Sequence, residues 1–505
     1  MQGFTVIDLI ILIVYLAAVL FAGLHFAKKD MKGKEYFKGD GTVPWWVTSV
    51  SIFATLLSPI SFLSLAGNSY AGTWIMWFAQ LGMLLAIPIT IRFFLPVYSR
   101  LDIDTAYHYL ELRFGSKGLR VLGAAMFIIY QIGRMSIIMY LPCMVLGSLT
   151  GISVNLLIVL MGVIAIVYSY TGGLKSVLWT DFIQGSVLLI GVTFALVFLL
   201  INIDGGAGAL FGALAHEHKF LAADQPIFDI NIFKDSVFIL IVGAGFNTMG
   251  SYVSSQDIVQ RFTTTTDTKK LNKMMLTNGA LSIFIATVFY LIGTGLYVFY
   301  KQNALPPAAA QDQIFASYIA FELPVGVTGI LLAAIYAASQ STLSTGLNSV
   351  ASSWTLDIQA RLSKKELSFE RQTKIGQYVS LAVGVFAIIV SMVLANGGIK
   401  SAYEWFNGFM GLVLGILIGM FILGVFTKKA NTFGAAVAFI AATAVMVGIK
   451  YFVPAEAVSI WSYSIISIVV SLVVGIPSSL IWSKIKGETS VPAPHTTIYN
   501  VKEEQ

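Results

Sequence analysis

The sequence predicts an all-helical protein that crosses a membrane many times, and three observations support this. Apolar residues make up 57% of the 505 residues and charged residues only 11%, which leaves too little polar surface for a water-soluble exterior. The apolar residues form runs of about 20, the length of one helical crossing. Lys and Arg are concentrated in alternate connections between those runs. Lipid is therefore the expected solvent of most of the surface.

The hydrophobic runs divide the chain into about 13 helices, counting one crossing for each stretch of about 20 residues. We number them 0 to 12. Predicted helices 0 to 5 cover residues 4–27, 45–70, 73–98, 119–149, 154–170 and 177–201. Predicted helices 6 to 12 cover residues 237–254, 275–300, 325–358, 377–395, 402–426, 434–452 and 459–482. One transmembrane domain is expected over residues 1–486, followed by a polar, mobile tail at 487–505.

The basic residues predict the orientation of the chain. They cluster after even-numbered helices, as at 28–38 and 361–371, and such clusters stay on the cytoplasmic side. We expect the N-terminus outside and the C-terminus in the cytoplasm, with the chain in the cytoplasmic (inner) membrane. Helix 0 lacks a basic leader and a cleavage site, so we expect it to be retained. Since the basic residues form no single patch, nucleic acid is not expected as a partner.

Helix 1 is expected to be broken in the middle of the bilayer. Pro59 has no backbone N–H to donate and its ring clashes with the preceding turn, so carbonyls near Thr55 and Leu57 lose their helical partners. A second break is predicted in helix 6, within the glycine-rich run 243–250. Paired breaks in two halves of a chain point to a binding site at the membrane midplane. A simple proline kink is the alternative.

Helix 8 carries a stripe of hydroxyl groups. Ser341, Thr342 and Thr345 fall on one face together with Ala338. Hydroxyl and carbonyl oxygens are the ligands that hard cations take. Close helix packing, with each hydroxyl bonded to its own backbone, is the alternative explanation.

Two charged residues lie within or near the apolar segments. Arg134 in helix 3 has apolar turns on both sides, and a buried arginine needs a partner. A solute carboxylate fits its guanidinium fork, although a structural ion pair would also satisfy it. Asp181 lies early in helix 5 near the inner interface, either as a wetted carboxylate or as a cation ligand. The one cysteine, Cys143, is expected to be a buried hydrophobe that forms no disulfide.

Motifs for catalysis and for ATP-driven transport are missing from the sequence. There is no Walker A loop and no Gly-x-Ser-x-Gly elbow. The run 216–218, His-Glu-His, lacks the spacing of a helical zinc site. An enzyme is therefore not expected. A channel would need a repeated pore element, which is also not seen.

Several motifs resemble those of the sodium/solute symporter family. They are Tyr168-Ser-Tyr-Thr-Gly-Gly-Leu-Lys-Ser-Val-Leu-Trp-Thr-Asp-Phe-Ile-Gln184, Ser254-Ser-Gln-Asp-Ile-Val-Gln-Arg261 and the Ala-Ser-Gln-Ser run ending at Ser341. Within the family, the segments 53–62, 105–114 and 132–134 are most similar to bacterial sodium/sialic acid symporters. The resemblance implies a LeuT-type fold, with inverted repeats at about 45–201 and 235–426 and two extra helices at 434–482.

The resemblance also implies an activity. We expect sodium-coupled import of a small carboxylated solute, sialic acid (N-acetylneuraminate), by alternating access, with two Na+ ions per cycle and a monomeric carrier. Proline, a neutral sugar or a different carboxylate is the alternative solute. Saturable, sodium-dependent flux would separate this activity from that of a channel.

The resemblance further implies the binding residues. The substrate-binding positions are Ser58, Ser61, Gln80 and Arg134. The first sodium site takes carbonyls of Ala54, Leu57 and Ala338 with the hydroxyls of Ser341 and Thr342. The second sodium site takes Asp181, Ser341, Ser344 and Thr345. Two departures affect the substrate contacts, because Leu56 and Pro59 stand where hydroxyl residues are expected. Thr342 and Thr345 replace serines but keep the oxygen.

Overall fold

The computed structural model describes residues 5–26, 34–39, 41–231, 233–303, 311–397, 402–454, 457–487 and 491–501. Over these ranges every regular element is a helix, which confirms the predicted all-α class. Eleven helices are long and apolar enough to cross a membrane, and a bent helix pair counted as one span adds a twelfth. The count of about 13 crossings is therefore approximate.

The helices are labelled α1 to α19 in chain order. The first ten are α1 Val6–Phe26, α2 Lys34–Lys38, α3 Trp45–Leu56, α4 Pro59–Ala71, α5 Ile75–Leu101, α6 Ala106–Phe114, α7 Lys117–Thr150, α8 Val154–Ile201, α9 Gly206–His216 and α10 Val237–Ser254. The others are α11 Gln256–Phe262, α12 Thr268–Gln302, α13 Ile314–Phe321, α14 Val327–Leu362, α15 Phe369–Asn396, α16 Ala402–Phe426, α17 Thr432–Phe452, α18 Ile460–Lys486 and α19 Ile498–Val501.

Predicted helices 4 and 5 meet without a connecting loop. They join within α8 at Gly173, whose φ of 56° and ψ of −162° interrupt the helix. A positive φ is accessible to glycine at little cost. A Cβ on Gly173 would also lie 2.7 Å from the carbonyl oxygen of Tyr36. The sharp turn between these two helices therefore depends on glycine.

The predicted break in helix 1 is confirmed. α3 ends at Leu56 and α4 begins at Pro59, and the two helices are bent by 63°. The linking residues Leu57 and Ser58 are extended, with ψ values of 110° and 161°. Ser58 caps α4, because its Oγ accepts a hydrogen bond from the backbone N–H of Ser61. Pro59 occupies the first helical position, where a missing N–H is tolerated.

The predicted break in helix 6 is wrong. α10 runs without interruption through the glycine-rich segment 243–250. Its glycines serve close packing instead. A Cβ on Gly243 would lie 2.3 Å from the carbonyl oxygen of Trp461, and one on Gly245 would lie 2.9 Å from Leu85 Cδ2. The chain leaves the helix only at Ser255, an extended residue between α10 and α11.

α14 is the central helix of the fold. In its 18-residue apolar window 89% of the residues are buried, against 22% for α1 and α15, whose apolar side chains face the expected lipid. The start of α14 is capped by another helix. Asp8 Oδ1 on α1 accepts hydrogen bonds from the backbone N–H groups of Gly326 and Gly329, both at 2.8 Å. This cap holds α1 against the core.

The predicted mobile tail is wrong for residues 491–501. Thr496 and Thr497 are fully buried, and Tyr109 Oη donates a hydrogen bond to the Thr496 carbonyl oxygen at 3.0 Å. Asn500 closes the segment by bonding Ala493 O and Thr497 N. The prolines and polar residues of this segment therefore form a compact turn against α6 rather than a mobile chain.

Candidate functional site

A cavity of about 140 Å³ lies beside the break between α3 and α4. A cavity needs only about 10–15 Å³ to hold one water molecule, so this volume is large enough for several waters or a small solute. Aromatic and apolar residues form part of its wall, including Met83, Phe406, Met410 and Trp461. The polar lining comes from α4, α5, α7, α10, α11 and the residue between the last two helices: Ser61, Gln80, Tyr130, Arg134, Asn247, Thr248, Ser251, Ser255 and Asp257.

Three of the four expected substrate-binding residues line this cavity. Ser61, Gln80 and Arg134 come from three different helices and meet at its wall. Ser58 does not line it. Its hydroxyl caps α4 and lies 3.3 Å from the Ser61 Oγ, so Ser58 can act on the cavity only by fixing Ser61.

Arg134 is buried and already has protein partners. Its Nη1 lies 2.5 Å from Asp257 Oδ2, and its Nη2 donates to the carbonyl oxygen of Thr55 at 2.6 Å. Of the two alternatives that the sequence leaves open, the ion pair is thus present. The Nε of Arg134 has no hydrogen-bond partner within the described ranges. A buried donor without a partner is costly, so this group is suited to bind a further acceptor.

Asp181 is fully buried, which excludes the alternative of a wetted interfacial carboxylate. Its Oδ1 accepts a hydrogen bond from Ser341 Oγ at 2.8 Å. Its Oδ2 accepts from Thr345 Oγ1 at 3.2 Å and from Arg261 Nη2 at 2.6 Å. Ser51 Oγ donates to the same oxygen at 2.6 Å. The carboxylate is therefore surrounded by donors from α3, α11 and α14.

The expected second sodium site is only partly assembled around this carboxylate. Ser341 and Thr345 contact Asp181, as the resemblance implies. Ser344 instead donates its hydroxyl to the carbonyl oxygen of Ser341 at 3.1 Å. Arg261 supplies the positive charge nearest to the carboxylate.

The residues of the expected first sodium site are buried at the α3 break and on α14. Ala54 lies in the last turn of α3 and Leu57 in the extended link, and carbonyls at a helix end lack helical partners. On α14, Thr342 Oγ1 donates to the carbonyl oxygen of Ala338 at 3.0 Å. The two elements are in contact, since Thr55 Oγ1 lies 3.4 Å from Thr345 Oγ1. The break and the hydroxyl stripe are thus adjacent.

Sequence reasoning missed the two charged residues of α11. Asp257 pairs with Arg134, and Arg261 pairs with Asp181. The sequence did contain a signal for them. Both are charged residues next to an apolar helix, and charged residues in such positions are usually paired. Asn247 and Thr248 were also missed as parts of the cavity wall, since they fall in the run 243–250 that was predicted to be a helix break, and Ser251, the next residue, was missed with them.

The fold and the site together define a membrane transporter. Its cavity lies next to a mid-helix break, and buried charges and hydroxyl groups surround that break, as is typical of transport sites. The chain belongs to the sodium:solute symporter family, whose sequence model matches residues 36–442. It is therefore a multi-pass membrane transporter and not an enzyme.

Two similar proteins and one solved structure support the assignment. The chain is 34% identical to the sodium/sialic acid symporter SiaT of Proteus mirabilis, over 89% of this chain and 91% of that protein. It is 32% identical to the sodium/sialic acid symporter NanT of Aliivibrio fischeri, over 94% and 93%. It also matches a structure of a Na+-coupled sialic acid symporter in a substrate-bound outward-open state, with a TM-score of 0.88, 32% identity, and coverage of 94% and 98%. The predicted LeuT-type class is thereby confirmed.

Proposed function

We propose that the chain is a sodium-coupled symporter that imports sialic acid (N-acetylneuraminate) by alternating access. The observation that carries the proposal is the buried Arg134 guanidinium in the wall of a cavity beside the helix break. A guanidinium is the side chain best suited to hold a carboxylate. Both similar proteins are named sodium/sialic acid symporters, and the matched structure is of a Na+-coupled sialic acid symporter. These similarities favour this solute over proline or a neutral sugar.

The solute contacts follow from the cavity wall. Arg134 would bind the carboxylate, with its Nε available for the first bond. Ser61 and Gln80 would bind hydroxyl or amide groups of the solute from α4 and α5. Ser58 would hold Ser61 in place through the cap of α4.

Sodium would bind where the broken helix meets α14. The first site would use the carbonyls of Ala54, Leu57 and Ala338 with the Ser341 and Thr342 hydroxyls, because hard cations take oxygen ligands. The second would use Asp181 with Ser341, Ser344 and Thr345. Two sodium ions with a monovalent anion carry one net positive charge inwards, which a membrane potential drives by about 2.3 kcal/mol per 100 mV.

The wider organisation is proposed on the same basis. Residues 1–486 would form one transport domain, with inverted repeats at 45–201 and 235–426 and two additional helices at 434–482. The basic clusters would place the N-terminus outside and the C-terminus, including residues 487–505, in the cytoplasm. We expect a monomeric carrier.

Uptake of labelled N-acetylneuraminate into proteoliposomes tests the proposal. Uptake should saturate, require an inward sodium gradient and stop when choline replaces sodium. Proline, neutral sugars and other carboxylates should compete poorly. Equal uptake in choline would contradict sodium coupling, and stronger competition by a neutral solute would contradict the assignment of the solute.

Arg134→Ala provides a sharper test of the solute. The variant should lose uptake of the acid far more than uptake of any neutral analogue, because only the acid needs the guanidinium. Arg371→Ala, at an exposed arginine of α15, is the matched control and should behave as wild type. An equal loss for acidic and neutral compounds would show that Arg134 maintains the structure of the site and does not bind the carboxylate.

A further inference from the structure

α11 is a seven-residue helix that carries two buried charges one turn apart. It follows the extended residue Ser255, and both Asp257 and Arg261 are fully buried. The two residues are joined within the helix, since Arg261 Nη1 donates to the backbone oxygen of Asp257. We call Asp257 and Arg261 the α11 charge pair. Burying two charges on so short a helix is costly unless each has a partner.

The carboxylate of the pair lies at the candidate solute site. Asp257 Oδ2 binds Arg134 Nη1 at 2.5 Å, and both residues line the cavity. Asp257 Oδ1 accepts from Ser255 Oγ. Asp257 thus occupies, with its own carboxylate, the Arg134 guanidinium that would bind the carboxylate of the solute.

The guanidinium of the pair lies at the candidate second sodium site. Arg261 Nη2 binds Asp181 Oδ2 and Thr345 Oγ1, each at 2.6 Å. Arg261 Nε donates to Ser51 Oγ at 2.9 Å. The protein therefore places its own cation on two of the residues that would bind sodium.

We propose that the α11 charge pair competes with the two cargo ions, Asp257 with the solute carboxylate for Arg134 and Arg261 with sodium for Asp181. This inference rests on the proposed function for the identity of the cargo. Because one helix carries both competitors, moving α11 away from one site also removes it from the other. A solute that displaces Asp257 thereby exposes Asp181 to sodium.

The arrangement gives a physical basis for coupled binding. When solute binds alone, it displaces α11, which also removes Arg261 and leaves Asp181 buried without a cation. When sodium binds alone, the same displacement removes Asp257 and leaves Arg134 without an anion. Either uncompensated charge is strongly unfavourable in a buried site. When both ions bind, Arg134 and Asp181 each have a partner again, and the displaced Asp257 and Arg261, four residues apart on α11, are placed to pair with each other. Positive cooperativity between solute and sodium follows, and it is reciprocal by thermodynamic necessity.

The direction in which a substitution changes the affinity for solute distinguishes competition from a merely structural ion pair. Asp257→Asn keeps the shape of the side chain but removes the charge that competes with the solute. We expect its affinity for N-acetylneuraminate in sodium-free buffer to rise about tenfold, and the effect of sodium on that affinity to shrink by a similar factor. A structural role predicts weaker binding and unchanged dependence on sodium, and that result would overturn the proposal.

Two other substitutions at acidic residues are the matched controls for Asp257→Asn. Asp257→Glu keeps the charge and should retain more of the sodium dependence than Asp257→Asn does. Asp224→Asn, at an exposed carboxylate outside the transmembrane helices, should leave both affinities unchanged. If Asp257→Asn melts at a lower temperature than wild type, the readout is the rise in melting temperature on adding N-acetylneuraminate. A larger rise than in wild type supports competition, and an equal or smaller rise overturns it.

Arg261→Gln tests the second half of the proposal without any solute. Removing the competing guanidinium should lower the sodium concentration for half-maximal thermal stabilisation about tenfold. A higher or unchanged concentration would overturn the proposal. This measurement remains valid if wild-type protein fails to bind N-acetylneuraminate, in which case the proposed solute is wrong but competition at Asp181 is still tested.

Discussion

The backbone carbonyl of Thr55 accepts a hydrogen bond from Arg134 Nη2 at 2.6 Å. In an unbroken helix this carbonyl would accept from the N–H of residue 59, four positions later. Residue 59 is proline and has no N–H to donate. The guanidinium of Arg134 therefore replaces the donor that the proline removes, and the helix break and the buried arginine depend on each other.

Restoring the missing donor should weaken the site. Pro59→Ala provides an N–H at position 59 and lets α3 continue towards α4, which would take the Thr55 carbonyl away from Arg134. We expect the KM for solute and for sodium to rise about tenfold, a loss of about 1.4 kcal/mol in binding. Pro88→Ala, at an exposed proline within α5, is the control. Unchanged KM values in the Pro59 variant would show that the break does not require proline.

Removing the Asp181 carboxylate should reduce cooperativity for sodium. Asp181→Ala eliminates the charged ligand of the proposed second site, so the Hill coefficient of sodium-driven uptake should fall towards one. The variant also leaves Arg261 buried without its carboxylate, at a cost of about 3–5 kcal/mol. Adding Arg261→Gln should therefore recover part of the lost thermal stability. Unchanged sodium cooperativity in the single variant would refute the assignment of Asp181.

Local chemistry explains which features the sequence predicted. The break at Pro59 was predictable because the missing N–H belongs to that residue alone. The helices followed from long apolar runs, since lipid forces each crossing to satisfy its own backbone. The hydroxyl stripe on α14 followed from helical periodicity. Each of these inferences needs only residues that are close together in the chain.

Features that depend on distant residues were missed or misassigned. Arg134 and Asp257 are 123 residues apart in the chain, so the sequence indicated the need for a partner but not its identity. Glycines at 243–250 are compatible with either a helix break or close packing. The close approach of the Trp461 backbone to Gly243 shows that they serve packing, and Trp461 is distant in the chain. The tail was misassigned because the surface that buries Thr496 lies on α6.

The cap that Asp8 places on α14 should contribute measurably to stability. Asp8→Ala leaves the N–H groups of Gly326 and Gly329 without their acceptor, and losing such a cap costs about 0.5–2 kcal/mol. Asp8→Asn keeps one acceptor oxygen and should recover part of that loss. The melting temperature in detergent provides the measurement. Equal melting temperatures for wild type and Asp8→Ala would show that α1 is held by packing alone.

His108 should make the stability depend on pH. It lies on α6, between membrane spans, where burial and then the nearby charge of Arg120 lower the pKa of His108 to about 4. Its Nδ1 accepts a hydrogen bond from the Asp104 backbone N–H, which requires the unprotonated ring. The unfolded chain, with an ordinary histidine pKa of about 6.5, binds more protons between those two values. Folding stability should therefore fall as the pH decreases from about 6.5 to 4.

Melting curves over that range test the role of His108. His108→Gln removes the titrating group, so its melting temperature should change less between pH 6.5 and 4 than that of wild type. Arg371→Ala, at an exposed arginine of α15, is the control and should keep the pH profile of wild type. Parallel pH profiles for wild type and the His108 variant would exclude His108 as the source.

The docked segment 491–501 should stabilise α6 and the C-terminal end of α16. Tyr109→Phe removes the hydrogen bond to Thr496, worth about 1 kcal/mol. Tyr499 Oη also donates to the Phe426 carbonyl oxygen at 3.3 Å, and Lys428 Nζ lies 4.7 Å from the Tyr499 ring centre. Truncation after residue 490 removes all three contacts and should lower the melting temperature further. It should also increase hydrogen exchange in α6. Tyr451→Phe, at an exposed tyrosine, is the control, and rapid proteolysis within 491–501 in wild type would contradict docking.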